Sequence, residues 1–178
     1  MSEIPGMWTR TGMYVLTWTD FGSCVTWAAE RVRADGFEPT VICAVARGGL
    51  TAAAYLATVL DVPSTHTVRV RRTESDDRYA AKQAPVLEVV SPARIGPEDR
   101  VLIVDDIVGT GATEKVVREH LSDLGAGQVR SVALVRNHRS PLIPDYCPVV
   151  LDDWIVFPWE HGWADLAESG RRVAVGAG

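Results

Sequence analysis

Residues Val101 to Thr113 read VLIVDDIVGTGAT. The four apolar residues Val101 to Val104 predict a buried strand, two adjacent carboxylates follow at Asp105 and Asp106, and Gly109, Thr110, Gly111, Ala112 and Thr113 make a loop with little side-chain bulk. Successive residues on a strand point to opposite faces, so one carboxylate can face a ligand crevice while the other supports the loop or reaches a second contact. Carboxylates accept hydrogen bonds, which suits them to a pair of vicinal hydroxyls. The backbone N–H groups of a small-residue loop converge on an anion where the next helix starts, and the helix dipole favours negative charge there. Thr110 and Thr113 add hydroxyl donors. The chemistry expected of the segment is recognition of a sugar phosphate.

Other uses of the same residues fail on spacing. A phosphate loop of the Walker kind needs Gly-Lys-Ser/Thr, and Lys115 follows Glu114. A dinucleotide fingerprint needs a third glycine where Glu114 stands. A receiver-type acid pocket would use Asp105 and Asp106 but leave the glycine loop unexplained. An ordinary turn would leave an acid pair that costs stability unless it is used or paired.

Two further segments carry chemistry. Ala46-Arg47-Gly48-Gly49-Leu50 ends the apolar run Val41–Ala46. In a parallel sheet this turn opens at the same edge as the acid pair. Its small residues let a pyrophosphate approach the backbone, and Arg47 supplies a planar cationic fork. Asp153 to Glu160, DWIVFPWE, is aromatic, acidic and broken by Pro158. Core packing is the reading for Phe157 and Trp159. Trp154 follows two aspartates and is expected at a cleft rim, where an indole stacks on a flat base for roughly 1–3 kcal/mol. Residues 71–85 alternate in charge and have no apolar face, as in a solvated surface loop.

The elements that must position these residues follow from periodicity. Val15 to Trp18 reads as a short strand or lead-in, and Thr19 and Asp20 as the cap of a helix whose face is Phe21, Cys24, Val25, Ala28, Ala29 and Val32. Val41–Ala46 is a strand, Leu50–Leu60 a helix, Thr65–Arg72 a half-exposed strand and Val86–Val90 a further strand. After Val101–Val104 comes a helix from Thr113 with Val117, His120, Leu121 and Leu124 on one face, closed at Gly125. Val129–Val135, Val149–Leu151 and Ile155–Phe157 are the remaining strands, followed by a short helix and tail. This alternation predicts an α/β fold with an open, mostly parallel twisted sheet flanked by helices, which binds ligands beyond the carboxyl ends of its strands.

With 178 residues, 47% of them hydrophobic, a single domain over 1–178 with a full core is expected. A formal net charge of −5 argues against a nucleic-acid partner. No apolar run reaches the roughly 18 residues needed to span a bilayer, and no signal peptide is read, so neither a membrane nor export is expected and the cytoplasm is the default location. Cys24, Cys43 and Cys147 lack metal-type spacing and are expected to be inert thiols, Cys24 and Cys43 in apolar runs.

The Val101–Thr113 segment resembles the phosphoribosyl pyrophosphate (PRPP) motif of type I phosphoribosyltransferases. The Arg47 turn is similar to the pyrophosphate loop of the same family, above all its Ser-Arg-Gly-Gly-Leu form in bacterial xanthine-guanine enzymes, with Ala46 in place of Ser. Trp154, Pro158-Trp159 and Glu160 align without a gap to the base-binding hood of those 6-oxopurine enzymes, and Val132 to Arg136, VALVR, resembles the strand whose terminal lysine contacts the purine. The resemblance covers about Tyr14 to Glu160 and places a core at about 14–136 and a hood at about 1–13 and 137–170.

What the resemblance implies is Mg²⁺-dependent transfer of the 5-phosphoribosyl group from PRPP to a purine base, giving a nucleoside monophosphate and pyrophosphate. Asp105 and Asp106 then hold the ribose hydroxyls, and Gly109, Thr110, Gly111, Ala112 and Thr113 hold the 5′-phosphate. Ala46, Arg47, Gly48 and Gly49 hold the pyrophosphate, with a cis peptide implied at Ala46–Arg47. Arg136, Trp154 and Ile155 bind the base, and Asp105, Asp106 and Glu160 orient the metal. Residues 71–85 become a lid whose Arg71, Arg72, Arg78 and Lys82 reach toward pyrophosphate, and a homodimer or homotetramer is the family expectation.

Two positions depart from the 6-oxopurine pattern. Gly109 stands where those enzymes carry an aspartate at the purine, and Arg136 replaces the lysine. Three readings stay open for Gly109: Glu74, Asp76 or Asp77 supplies the acid, the base is another heterocycle, or turnover is weak. A regulatory protein that senses PRPP or a nucleotide without chemistry is the alternative from another class.

Overall fold

The computed structural model describes residues 8–9, 12–71, 84–160, 162, 170–173 and 175–176. The main sheet has six strands in the order β4(Val86–Ser91), β3(Ser64–Arg71), β2(Val41–Ala46), β5(Arg100–Val108), β6(Gln128–Asn137) and β7(Val149–Leu151). All neighbours are parallel except β3 and β4. A second sheet joins β1(Met13–Val15) to β8(Trp154–Val156) on one side and β9(Arg171–Arg172) on the other. The expected α/β fold with a mostly parallel sheet is the fold observed.

Two βαβ units run outward from the centre of the main sheet. β2 leads through α2(Gly49–Val59) to β3, and β5 leads through α3(Ala112–Asp123) to β6. Right-handed crossovers that travel in opposite directions put their helices on opposite faces of the sheet. The core divides accordingly. Ile42, Ala44, Leu102 and Val104 face α1(Trp18–Ala34) and α2, while Val41, Cys43, Val101 and Ile103 face Val117 and Leu121 of α3. Both faces of β2 and β5 are therefore covered, which is why these strands read as unbroken apolar runs.

Several boundaries differ from the sequence reading, each for a non-local reason. β5 runs through the acid pair to Val108 because β6 continues beside it, pairing Asp105 with Ala133 and Val108 with Arg136. Asp105 and Asp106 thus lie within a strand rather than after one. Helix α1 starts a turn earlier than expected. Thr17 is its cap: the Thr17 hydroxyl accepts from the Asp20 N–H, and Asp20 accepts from the Thr17 N–H in return. Trp18 is accordingly helical, and the lead-in strand is Met13–Val15. β8 begins at Trp154, one residue early, because it takes its register from Met13–Val15. The expected lid falls largely at 72–83 and the expected tail helix largely at 163–169, outside the described residues. Arg71, which the resemblance assigned to the lid, ends β3 and is ion-paired with Glu88 on β4.

All three cysteines are buried, and none forms a disulfide. Burial pushes the Cys24 and Cys43 thiols up to about 12 and Cys147 to about 11. Among the described residues no helix is long and apolar enough to cross a membrane.

Thr17→Ala should remove the reciprocal cap and lower unfolding free energy by about 1 kcal/mol. Urea denaturation checks this as a lower midpoint at an unchanged slope; an unchanged midpoint would show that the cap does not contribute.

Candidate active site

The chain reverses direction across the sheet between β2 and β5, and open α/β sheets bind their ligands where such a reversal opens a crevice. The last β2–β5 pair is Ala44 with Val104, so Asp105 and Asp106 extend past the point where β2 turns away. The turn that follows β2 fills the space beside them. It contains a cis peptide at Ala46–Arg47. A Cβ on Gly48 would fall 1.6 Å from Asp106 Oδ2, and one on Gly49 would fall 2.4 Å from the Val104 carbonyl oxygen. A side chain at Gly49 would collide with the Val104 backbone and one at Gly48 would have to displace the Asp106 carboxylate, so the glycines let the Arg47 turn lie directly on the acid pair.

After β5 the chain passes through Gly109 and Thr110 to Gly111, which adopts φ 76° and is the N-cap of α3. A Cβ there would also meet Leu142 Cβ at 2.4 Å. The positive φ turns the backbone so that α3 begins at Ala112, with the N–H groups of its first turn free of intrahelical partners. Glu114 in that turn is buried and bonded to Arg118 at 2.8 Å. Arg118 also donates to the Val129 carbonyl, to Ser131 Oγ and to Asp145. This network braces the start of α3 against β6 and against the segment that follows it. The sequence reading used Glu114 only to reject other motifs; its spacing to Arg118, one helical turn, was the available signal.

A cavity of about 290 Å³ opens at this edge. Its polar wall comprises Asp105, Asp106, Gly109, Thr110, Gly111 and Thr113, with Glu114 behind. Its aromatic wall comprises Trp8, Trp154, Ile155 and Phe157, and Glu160 also borders it. Phe157 is buried and stacks on Trp159, which meets Phe21 edge-on, so both residues pack as expected of core aromatics. Trp8 was not singled out from the sequence. Nothing in its local pattern marks it, because long-range contacts place it.

The remaining expected residues lie nearby rather than on the cavity wall. Of the turn Ala46–Gly49, Gly48 lies against the Asp106 carboxylate and Gly49 against the backbone of Val104 and Asp105, and Ala112 follows Gly111 as the first helical residue. Arg136 stands opposite Val108 and donates to the Asn137 carbonyl at 3.4 Å, outside the lining.

The electrostatics are one-sided. Asp105 is held well above the ordinary carboxylate range by burial and then by the adjacent Asp106. Burial also raises Asp106, partly offset by hydrogen bonds from Asp105 and from backbone N–H groups. Glu160 is raised by the protein around its carboxyl and then by Asp106. Among the described residues neither Asp105 nor Asp106 forms an ion pair. Among the described residues that line the cavity none is cationic, and the acceptors they present match hydroxyls or a bound cation.

Residues 21–166 match the phosphoribosyl transferase domain family. The chain belongs to this family. As a phosphoribosyltransferase it is 33% identical over 120 residues to the xanthine-guanine phosphoribosyltransferase of Nitratidesulfovibrio vulgaris strain DP4, covering 67% of this chain and 68% of that one. It is 34% identical over 124 residues to the xanthine-guanine phosphoribosyltransferase of Chromohalobacter salexigens, covering 69% and 70%. Among solved structures, the purine phosphoribosyltransferase of Pyrococcus horikoshii superposes with a TM-score of 0.74 at 31% identity, covering 85% of this chain and 96% of that one. The phosphoribosyltransferase assignment, and with it transferase activity, agrees with the site reached from the residues.

Burial that raises a carboxyl makes ionisation oppose folding. The contribution of the protonated pair is complete below the unfolded value of 3.8 and is lost as pH rises through the folded values. Asp105→Asn with Asp106→Asn removes that loss. Without divalent cation, the double variant should melt above the wild type near neutral pH, and the gap should narrow at about pH 4. Differential scanning calorimetry at both pH values reads it; a pH-independent gap would mean that the acids titrate normally.

Proposed function

We propose that this phosphoribosyltransferase moves the 5-phosphoribosyl group of PRPP onto a 6-oxopurine (guanine, xanthine or hypoxanthine) and releases pyrophosphate. The observation that carries the reading is the convergence on one cavity of two half-buried acids, a small-residue loop at a helix start and an aromatic wall. In this reading Asp105 and Asp106 accept hydrogen bonds from the two ribose hydroxyls. The N–H groups and hydroxyls of residues 109–113 take the 5′-phosphate. The turn Ala46–Gly49 takes the pyrophosphate, with the backbone brought close by Gly48. Trp154 and Ile155, on the small sheet that serves as hood, border the base, with Arg136 as a flanking cation.

The donor set suits Mg²⁺. Asp105, Asp106 and Glu160 are hard oxygen donors around one cavity, and among the described residues no cation is paired to the two aspartates. Among the described residues no group of three or more His, Cys, Asp or Glu side chains is placed to hold a metal ion by itself, so the ion would depend on substrate oxygens as well. That too is consistent with Mg²⁺, which retains waters and binds through one or two carboxylates together with substrate phosphates. The ion would neutralise charge on the departing pyrophosphate.

In the reaction the C1–pyrophosphate bond of PRPP breaks ahead of bond formation to the base nitrogen, so positive charge builds on the ribose. The chain's contribution is positioning and electrostatics. The acid pair fixes the ribose and lies near the developing charge, the loop anchors the far end of the sugar, and the aromatic wall excludes water from the reacting carbon.

A second reading, another heterocyclic base, is favoured by Gly109, which offers the cavity no side chain, and by the position of Arg136 outside the lining. A pyrophosphate-release assay with PRPP, Mg²⁺ and guanine, hypoxanthine, xanthine, adenine, uracil or orotate separates the two. Turnover with a 6-oxopurine is expected, and turnover confined to other bases would replace the reading. Asp105→Asn with Asp106→Asn should abolish release, and wild-type rates in that variant would refute the site. Gly48→Ala must displace Asp106 and should lower kcat/KM about 100-fold; an unimpaired variant would show that the contact is dispensable.

A further inference from the structure

We infer that Trp8 forms a second aromatic wall of the nucleobase subsite and sets its preference for flat, fused-ring bases, an inference that rests on the proposed base-transfer reading. Trp8 is half-buried and lines the same cavity as Trp154, although the two stand at opposite ends of the chain. Its position is anchored on the Trp154 segment itself. The Thr9 N–H donates to the Asp152 carbonyl at 2.9 Å. The Gly12 N–H donates to Asp153 Oδ2 at 2.7 Å, and Asp153 is almost completely buried and is held by Arg171 at 2.9 Å. Parallel pairing of Met13 with Trp154 continues the same attachment. The two indoles thus belong to one rigid unit built on the small sheet.

The distribution of polarity in the cavity assigns the role. Apart from Glu160, its hydrogen-bonding side chains gather where β5 meets α3, and Glu114 there is already bonded to Arg118. Gly109 presents backbone only. The other side offers the indoles of Trp8 and Trp154, flanked by Ile155 and Phe157, and such apolar surfaces suit the face of a ring rather than its edge. Selection at this side therefore works through stacking area, which a bicyclic base supplies and a single-ring base supplies less of.

The test compares wild type with Trp8→Ala, Trp8→Leu and Trp8→Phe, each checked for folding by thermal melting. Steady-state KM is measured for PRPP and for whichever panel base the wild type accepts. Trp8→Ala and Trp8→Leu should each raise the base KM about 10-fold or more, with the PRPP KM within about 2-fold, and Trp8→Phe should restore most of the loss. The preference for a bicyclic over a single-ring base should also shrink in the Leu variant. Leu keeps apolar bulk but has no π-face, so wild-type base KM in Trp8→Leu overturns the inference. So does an equal rise in both KM values, which marks a structural role. If the wild type accepts only adenine, the 6-oxopurine proposal falls and the same comparison with adenine still decides Trp8; turnover confined to uracil or orotate overturns this inference as well. If no base reacts, GMP titrations by calorimetry decide it: affinity unaffected by Trp8→Leu, or no GMP binding at all, overturns it.

Discussion

The contact between Gly48 and Asp106 is the constraint on which the site depends. Two loops from different βαβ units must meet at the centre of a sheet, and they can meet only if one has no side chains where they touch. That closeness puts the backbone after β2 beside the carboxylates on β5, so groups that the proposal assigns to opposite ends of one substrate lie within a single crevice. The diverging order of the strands supplies the crevice, and the glycines set how tightly it closes.

Around that contact the protein keeps negative charge without compensating it. Asp105 and Asp106 are half-buried, adjacent and, among the described residues, not ion-paired, directly after the apolar run Val101–Val104 of their strand. A buried carboxylate of purely structural use would be expected to find a cation. Glu114, a short distance along the chain, shows the contrast. It is more deeply buried and is bonded to Arg118, which in turn ties α3 to β6. One acid holds the scaffold together, and the other two leave their acceptors facing the cavity.

Much of this was legible from the residues because it is encoded locally. An apolar run followed by two acids and a loop of small residues marks a strand, a site and a helix start in thirteen positions, and the Arg47 turn marks the matching loop. The parts that were not legible depend on partners distant in sequence. The extension of β5 through the acids depends on β6, and the start of β8 at Trp154 depends on Met13–Val15. Trp8 has no periodic context, and the bonds of Thr9 and Gly12 to Asp152 and Asp153, distant in sequence, help bring it to the cavity. The Thr17 cap was readable, since Thr17 and Asp20 have capping-box spacing, but Thr19 and Asp20 lie closer to the apolar face and offered a competing start.

The burial of Cys24, Cys43 and Cys147 has a practical consequence. Thiols held that far from ionisation are nearly silent toward maleimides and other electrophiles at neutral pH. The natural chain is therefore a blank background for labelling: one cysteine introduced on the surface would carry a dye or spin probe alone, and motion around the crevice could be followed without first stripping out the native sulfur.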